Sequence, residues 1–194
     1  MSTTLKHIPA AAHHRAIITH KPLNMNHKTQ QLINSLKGKE NTRILFVCLG
    51  NICRSPAAQG VMQAIVDAEG DSARFTIDSA GTGNYHIGEL PDKRMRVHAR
   101  RRGYELTHHC RRVCESDFTD FDLIIGMDAS NLQNLRSMAP TAEAAERVVA
   151  MADFFTLATR YDYVPDPYYE GAEGFELVLD LLEDGCRNLY EALK

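Results

Sequence analysis

A thiol and a guanidinium stand six positions apart in Cys48-Leu49-Gly50-Asn51-Ile52-Cys53-Arg54-Ser55-Pro56. Ahead of them runs Ile44-Leu45-Phe46-Val47, a continuous apolar stretch that reads as a buried strand. Behind them, Ser-Pro reads as a helix start with Pro at the first helical position. The pair therefore brackets a strand-to-helix turn, where several backbone N–H groups and the positive end of a helix dipole converge on one point. An anion belongs there. The same field lowers the pKa of a thiol, and the thiolate is the nucleophile. Arg54 adds a planar fork able to hold two phosphate oxygens at once. Thiol, loop amides and fork together describe a phosphoryl-transfer site working through a covalent cysteine intermediate. The plainer reading of Cys48, a small residue ending a buried strand, fits poorly beside Gly50 and Arg54. An arginine with no anion to bind would also sit badly at a positive helix end.

Other residues fill in that chemistry. Gly50 and Asn51 are types that tolerate positive φ, which lets the loop fold back over an anion. Ser55 has two compatible readings: an N-cap for the helix, and a hydroxyl that stabilises the Cys48 thiolate and helps it leave. A leaving alcohol needs a proton. Asp166, stiffened between Pro165 and Pro167 and set among apolar and aromatic neighbours, is the candidate acid, with a pKa expected to be raised.

The loop resembles the signature of the low-molecular-weight protein tyrosine phosphatases, and four further stretches match that family in order. They are Asp78-Ser79-Ala80-Gly81-Thr82, His108 with Arg111 three residues on, Phe121-Asp122-Leu123-Ile124-Ile125-Gly126-Met127-Asp128, and Val164-Pro165-Asp166-Pro167-Tyr168-Tyr169. Cys-x5-Arg occurs on several unrelated phosphatase folds; the whole loop with a late Asp-Pro-Tyr-Tyr is far more specific. The resemblance covers roughly Thr42 to the C-terminus.

It implies a phosphotyrosine phosphatase with Cys48, Arg54 and Asp166 as catalytic groups. The phosphate-binding loop would comprise Leu49, Gly50, Asn51, Ile52, Cys53 and Ser55. Asn51 would be held by hydrogen bonds to Ser79 and His108, so His108 supports the loop and is not the acid. Tyr85 and Tyr168 would form aromatic pocket walls. Many family members carry Trp where Tyr85 stands, and this chain has none, so peptide preference is open while the chemistry is not. Ile52 occupies the position of a threonine in relatives that act on phosphoarginine, and so favours an aryl phosphate. Cys53 reads either as loop packing or, by resemblance, as a reversible disulfide partner shielding Cys48 from over-oxidation. A monomer with at most weak self-association is implied, and no cofactor. Tyr168 and Tyr169 are residue types that can themselves be phosphorylated.

The elements that must position this site alternate strand and helix. Strands are expected at Ile44–Val47, Phe75–Asp78, Leu123–Gly126 and Arg147–Ala150. Helices are expected at Pro56 to about Ala68, ended by Gly70, then Pro91–Gly103 and Ala129–Met138. A closing helix from about Gly174 puts Phe175, Val178, Leu179, Leu182, Cys186 and Leu189 on one face. A Pro-, Asp- and Tyr-rich loop spans roughly 159–172. This βαβ alternation predicts an α/β doubly wound fold: a four-stranded parallel sheet, helices on both faces, and the ligand at the carboxyl ends of the strands, where Cys48 stands.

The chain has 194 residues, 44% of them hydrophobic, and a net charge of −3. That suits one domain over 41–194. Residues 1–40 read as an N-terminal extension, with five of the nine histidines and no acid before Glu40. A solvated tail, a transit peptide, and Met25 as the true start are alternatives for it, with a short helix at 28–36. From Glu40 onward 16 basic residues face 25 acidic ones, which argues against nucleic-acid binding. No apolar run approaches a membrane span. Five cysteines without a secretory signal indicate free thiols in a reducing, cytoplasmic compartment. His108, His109, Cys110 and Cys114 lack zinc-site spacing, so no metal is expected.

Two other activities compete on the same fold. A thiol-coupled arsenate reductase would need a relay through Cys110 and Cys114, and relatives of that type usually have Gln at the Pro56 position and lack the Asp-Pro-Tyr-Tyr stretch. The other is an arginine phosphatase. A silent phosphoprotein-binding module would require loss of the nucleophile, the arginine or the acid.

Overall fold

Seven residues, Thr42–Cys48, form β1 in a computed structural model that describes residues 23, 25–157 and 161–194. Ile44, Phe46 and Cys48 enter one core, and Leu45 and Val47 the other, so the strand is apolar on both sides. The sheet contains β2 (Phe75–Gly81), β3 (Leu123–Gly126) and β4 (Val148–Ala150) in the order β2-β1-β3-β4, all parallel. The register aligns Cys48 with Gly81 and Val47 with Gly126. The carboxyl ends of three strands therefore come level at the point where the strand order reverses about β1. In this class of sheet that is where a crevice opens.

The helices are α1 (His27–Leu36), α2 (Arg54–Glu69), α3 (Lys93–Arg101), α4 (Asp117–Asp120), α5 (Ala129–Met138), α6 (Ala142–Glu146) and α7 (Ala172–Leu193). The larger core lies under α1, α2, α3 and α7; the smaller packs α4, α5 and α6 on the opposite face. The doubly wound parallel sheet expected from the sequence is the architecture found. The face expected of the closing helix is fully buried at Phe175, Val178, Leu179, Leu182, Cys186 and Leu189. Gly70 ends α2 at φ 77°, its N–H bonded to Val66 and Asp67 carbonyls.

From Asn26 to Leu36 the expected extension is part of the packed body. Asn26 caps α1 by accepting the Thr29 N–H at 3.0 Å. The Asn26 amide and the Thr29 hydroxyl both donate to Asp153, at 2.9 and 2.6 Å. Ile33 and Leu36 enter the larger core beside α7, each burial stabilising by roughly 1.5–3 kcal/mol. Leu23 and Met25 pack against the same core. The tail and transit-peptide readings of residues 1–22 lie outside the described residues. No helix among the described residues is long and apolar enough to cross a membrane.

Candidate active site

The loop after β1 is built by turning its carbonyls outward. The Cys48 and Leu49 carbonyls accept from Thr82 and Gly83 N–H at 2.9 and 2.8 Å, and the Ile52 carbonyl from Asp92 N–H at 2.8 Å. The Asn51 carbonyl accepts the Cys110 thiol at 2.8 Å. Peptide planes are rigid and trans, so outward carbonyls send the following N–H groups toward the loop's centre. The shape of this loop is thus held by the residues just after β2, by the segment before α3 and by Cys110.

Asn51 is the one non-glycine residue at positive φ among the described residues, at 56°. Its side chain explains how that is held. Nδ2 donates to the Ser55 and Ser79 hydroxyls at 2.9 and 3.0 Å. Oδ1 accepts from the Arg111 backbone N–H at 2.9 Å and faces His108 Nε2 at the same distance. The Ser79 and His108 contacts expected for Asn51 are both present; those to Ser55 and Arg111 are additional. His108 Nδ1 faces Asp78 at 3.5 Å. Burial lowers the His108 pKa, Asp78 opposes that, and Arg111 adds to it. Arg111 is in turn clamped between Asp78 and the buried Asp117.

Of the two residues whose types tolerate positive φ, Asn51 adopts it and Gly50 does not. The stricter glycine requirement is at Gly81, where a Cβ would lie 2.7 Å from the Leu49 carbonyl oxygen. The loop's backbone rests directly on the end of β2.

The helix begins at Arg54, two residues before the expected start, so Ser55 is inside α2 and its hydroxyl makes no cap. Instead Ser55 Oγ lies 3.1 Å from Cys48 Sγ and 3.1 Å from the Ala80 carbonyl. Of the two readings of Ser55, the N-cap is absent, and its hydroxyl faces the Cys48 sulfur. Arg54 is buried, with Nη1 2.5 Å from Asp128 and Nη2 2.9 Å from Asp166. Burial opposes its charge, but Cys48, Asp166 and Asp128 outweigh that, and its pKa is held above the ordinary value. Asp128 was not singled out from the sequence. Besides pairing Arg54, it caps α5 by accepting the Asn131 N–H at 2.8 Å. An aspartate immediately ahead of a helix start carries that signal.

Asp166 does not sit in the apolar setting expected. Its two oxygens face the Arg54 guanidinium and, at 3.2 Å, the Tyr168 N–H. Cys48, Ile52, Arg54, Asp166, Tyr85 and Tyr168 line one cavity of about 430 Å³. Tyr85 is 72% exposed, so it forms a rim and not an enclosing wall. His86, also lining the cavity and bonded to Glu89 at 2.8 Å, is a rim residue that no motif marks.

All five cysteines are free thiols. Burial raises the Cys53 pKa, with smaller contributions from Asp92 and Cys48. Cys110 is pushed up to about 11, first by burial and then by Cys48 and Glu89. Cys114 is exposed. Among the described residues no group of three or more His, Cys, Asp or Glu side chains is placed to hold a metal ion.

Residues 43–194 match the family model for low molecular weight phosphotyrosine protein phosphatases. The chain belongs to that family. A relative from Schizosaccharomyces pombe, a low molecular weight phosphotyrosine protein phosphatase, is 39% identical over 155 residues, covering 79% of this chain and 98% of the relative. The crystal structure of a protein tyrosine phosphatase from Entamoeba histolytica with Hepes in its active site superposes with a TM-score of 0.75 at 43% identity, covering 78% of this chain and 96% of that one. At greater distance, a Drosophila arginine phosphatase shares the fold with a TM-score of 0.70 at 28% identity, covering 76% of this chain and 95% of that one. The matched span begins after α1, which therefore lies outside it.

Proposed function

We propose that this protein is a protein tyrosine phosphatase that hydrolyses phosphotyrosine and small aryl phosphates through a phosphocysteine on Cys48. The observation that carries the reading is the convergence of the Cys48 thiol, the Arg54 fork and the Asp166 carboxyl on one cavity. The Cys48 thiolate attacks phosphorus; an S–P bond forms as the P–O bond to the tyrosine breaks. Arg54 and the loop amides take the charge on the equatorial oxygens. Asp166 gives its proton to the departing phenolate. Its carboxylate then removes a proton from the water that attacks the phosphocysteine. Inorganic phosphate leaves, and the Ser55 hydroxyl, 3.1 Å from the sulfur, stabilises the returning thiolate.

Ile52 and Tyr168 supply an apolar, aromatic lining that fits an aryl phosphate better than a phosphoguanidinium. A peroxide oxidises the Cys48 thiolate to a sulfenic acid; the Cys53 sulfur then displaces that oxygen as water to form a disulfide, and a dithiol reductant restores both thiols. A reducing cytoplasmic setting and a monomeric state follow the same reading, and size exclusion at working concentration checks the latter.

The deciding experiment is p-nitrophenyl phosphate hydrolysis with EDTA across pH for wild type and Cys48→Ser. Acid-to-neutral turnover in chelator that drops at least about 10⁴-fold in the variant is expected. A fully active Cys48→Ser enzyme would refute the mechanism. Preference for phosphoarginine over phosphotyrosine would move the assignment to the arginine-directed branch.

A further inference from the structure

On the basis of that phosphatase reading, we infer that α3 is a docking strip for acidic residues on one side of the phosphotyrosine in a substrate protein. The helix reads Lys93-Arg94-Met95-Arg96-Val97-His98-Ala99-Arg100-Arg101, without an acid, in a chain whose net charge is −3. Met95, His98 and Ala99 are buried. At 3.6 residues per turn, Lys93, Val97 and Arg100 then face outward, with Arg96 on one flank and Arg101 on the other.

Most neighbouring cations are already occupied. Arg94 pairs with Asp92 at 2.8 Å, and Arg102, just beyond the helix, is taken up by Glu176, Asp180 and Glu183. Glu105 bonds Arg100 at 2.7 Å and feels Arg96 more weakly. That leaves Lys93, Arg96 and Arg101 without an ion-pair contact among the described residues, spread over the outward side of the helix and its two flanks.

The strip starts at the cavity. Asp92, which caps α3, donates its N–H to the Ile52 carbonyl of the phosphate loop at 2.8 Å. Arg94 lies 5.1 Å from the ring centroid of Tyr168, a cavity wall. A peptide leaving the cavity on this side meets Lys93 first, then Arg96 and Val97, then Arg101. Lys93 to Arg101 is about 12 Å along the helix, the reach of about four extended residues. Val97, 39% exposed, offers an apolar contact midway. The acidic remainder of the body repels an acidic segment elsewhere, so the strip gives orientation as well as attraction. Three cations on an otherwise acidic body are a small footprint for nucleic acid or an anionic membrane.

The test compares phosphotyrosine peptides carrying a glutamate run on the N-terminal side, on the C-terminal side, or on neither. Wild type is expected to favour one acidic flank by about tenfold in kcat/KM, fading as salt rises. In Lys93→Glu/Arg96→Glu/Arg101→Glu that preference disappears, while p-nitrophenyl phosphate kcat/KM stays within about twofold, since these rim charges touch none of the reacting atoms. Arg101→Gln, a milder change, should lower the preference part-way. Equal rates on all peptides by an enzyme active on p-nitrophenyl phosphate would overturn the inference and leave the phosphatase reading intact. So would a preference that survives the triple variant. Binding of poly(U) or phosphatidylserine vesicles that the variant abolishes, with no peptide preference, would assign the strip to another partner and likewise overturn it. Absence of p-nitrophenyl phosphate turnover by wild type would instead strike the phosphatase reading.

Discussion

The floor and the rim of the cavity are built on opposite terms. On the floor, Cys48, Asn51, Arg54 and Ser55 are buried, and Asn51 makes four side-chain hydrogen bonds to four different residues. On the rim, Tyr85 is 72% exposed and Tyr169 is 93% exposed. The difference teaches where precision is needed. Charge building on a transferring phosphoryl group is stabilised by dipoles that do not have to reorganise, so the floor is fixed from several directions. Recognition of the surrounding peptide tolerates, and uses, adaptable groups at the surface.

Perturbing the floor at its centre should have the largest effect. Arg54→Ala is expected to lower aryl phosphate kcat/KM by about 10³–10⁴-fold, and to leave Asp128 and Asp166 without their shared cation. Steady-state kinetics measure the first consequence and a urea melt the second. Asp166→Asn, between floor and rim, should cut kcat by about 10²–10³-fold with KM little changed, since it removes proton transfer and not binding. Asn51→Ala strips the loop of its brace and leaves a non-glycine residue at positive φ. Unfolding free energy should fall by about 2–4 kcal/mol, read from the urea midpoint.

A smaller effect comes from His108. Its pKa in the fold is below the ordinary value because burial penalises the cation. As pH falls, the unfolded chain takes that proton first. Stability is therefore complete above the ordinary histidine range and is lost as pH drops from there toward the lowered folded value. His108→Gln should flatten that part of the stability–pH curve. At the rim, Tyr85→Ala should change stability by less than about 0.5 kcal/mol and act mainly on peptide KM. A rim substitution that destabilised the fold as much as Asn51→Ala would erase the distinction between the two regions.

The floor was also the more legible region in the sequence, for a physical reason. Cys48, Arg54 and the glycine-asparagine pair lie within one loop, where spacing along the chain sets spacing in space. Asp128, 74 residues beyond Arg54, meets it only because β1 and β3 are adjacent. The steric demand at Gly81 comes from the Leu49 carbonyl of another strand's loop, 32 residues away, and so is invisible in the local sequence. The positive φ fell on Asn51 and not Gly50 because four side-chain partners hold Asn51 there, a tertiary effect that residue type alone does not carry. Likewise, a short helix at 28–36 is a local expectation, but its seat against α7 depends on Asp153, over a hundred residues away.

That seat has a practical consequence for anyone handling the protein. Trimming the chain to begin at residue 43, where the family match starts, would remove α1 and uncover the apolar surface on which Ile33 and Leu36 rest. The shortened protein would keep every group around Cys48 yet present a newly adhesive flank. Clumping or pairing seen in such a preparation would then report on the scissors and not on the enzyme.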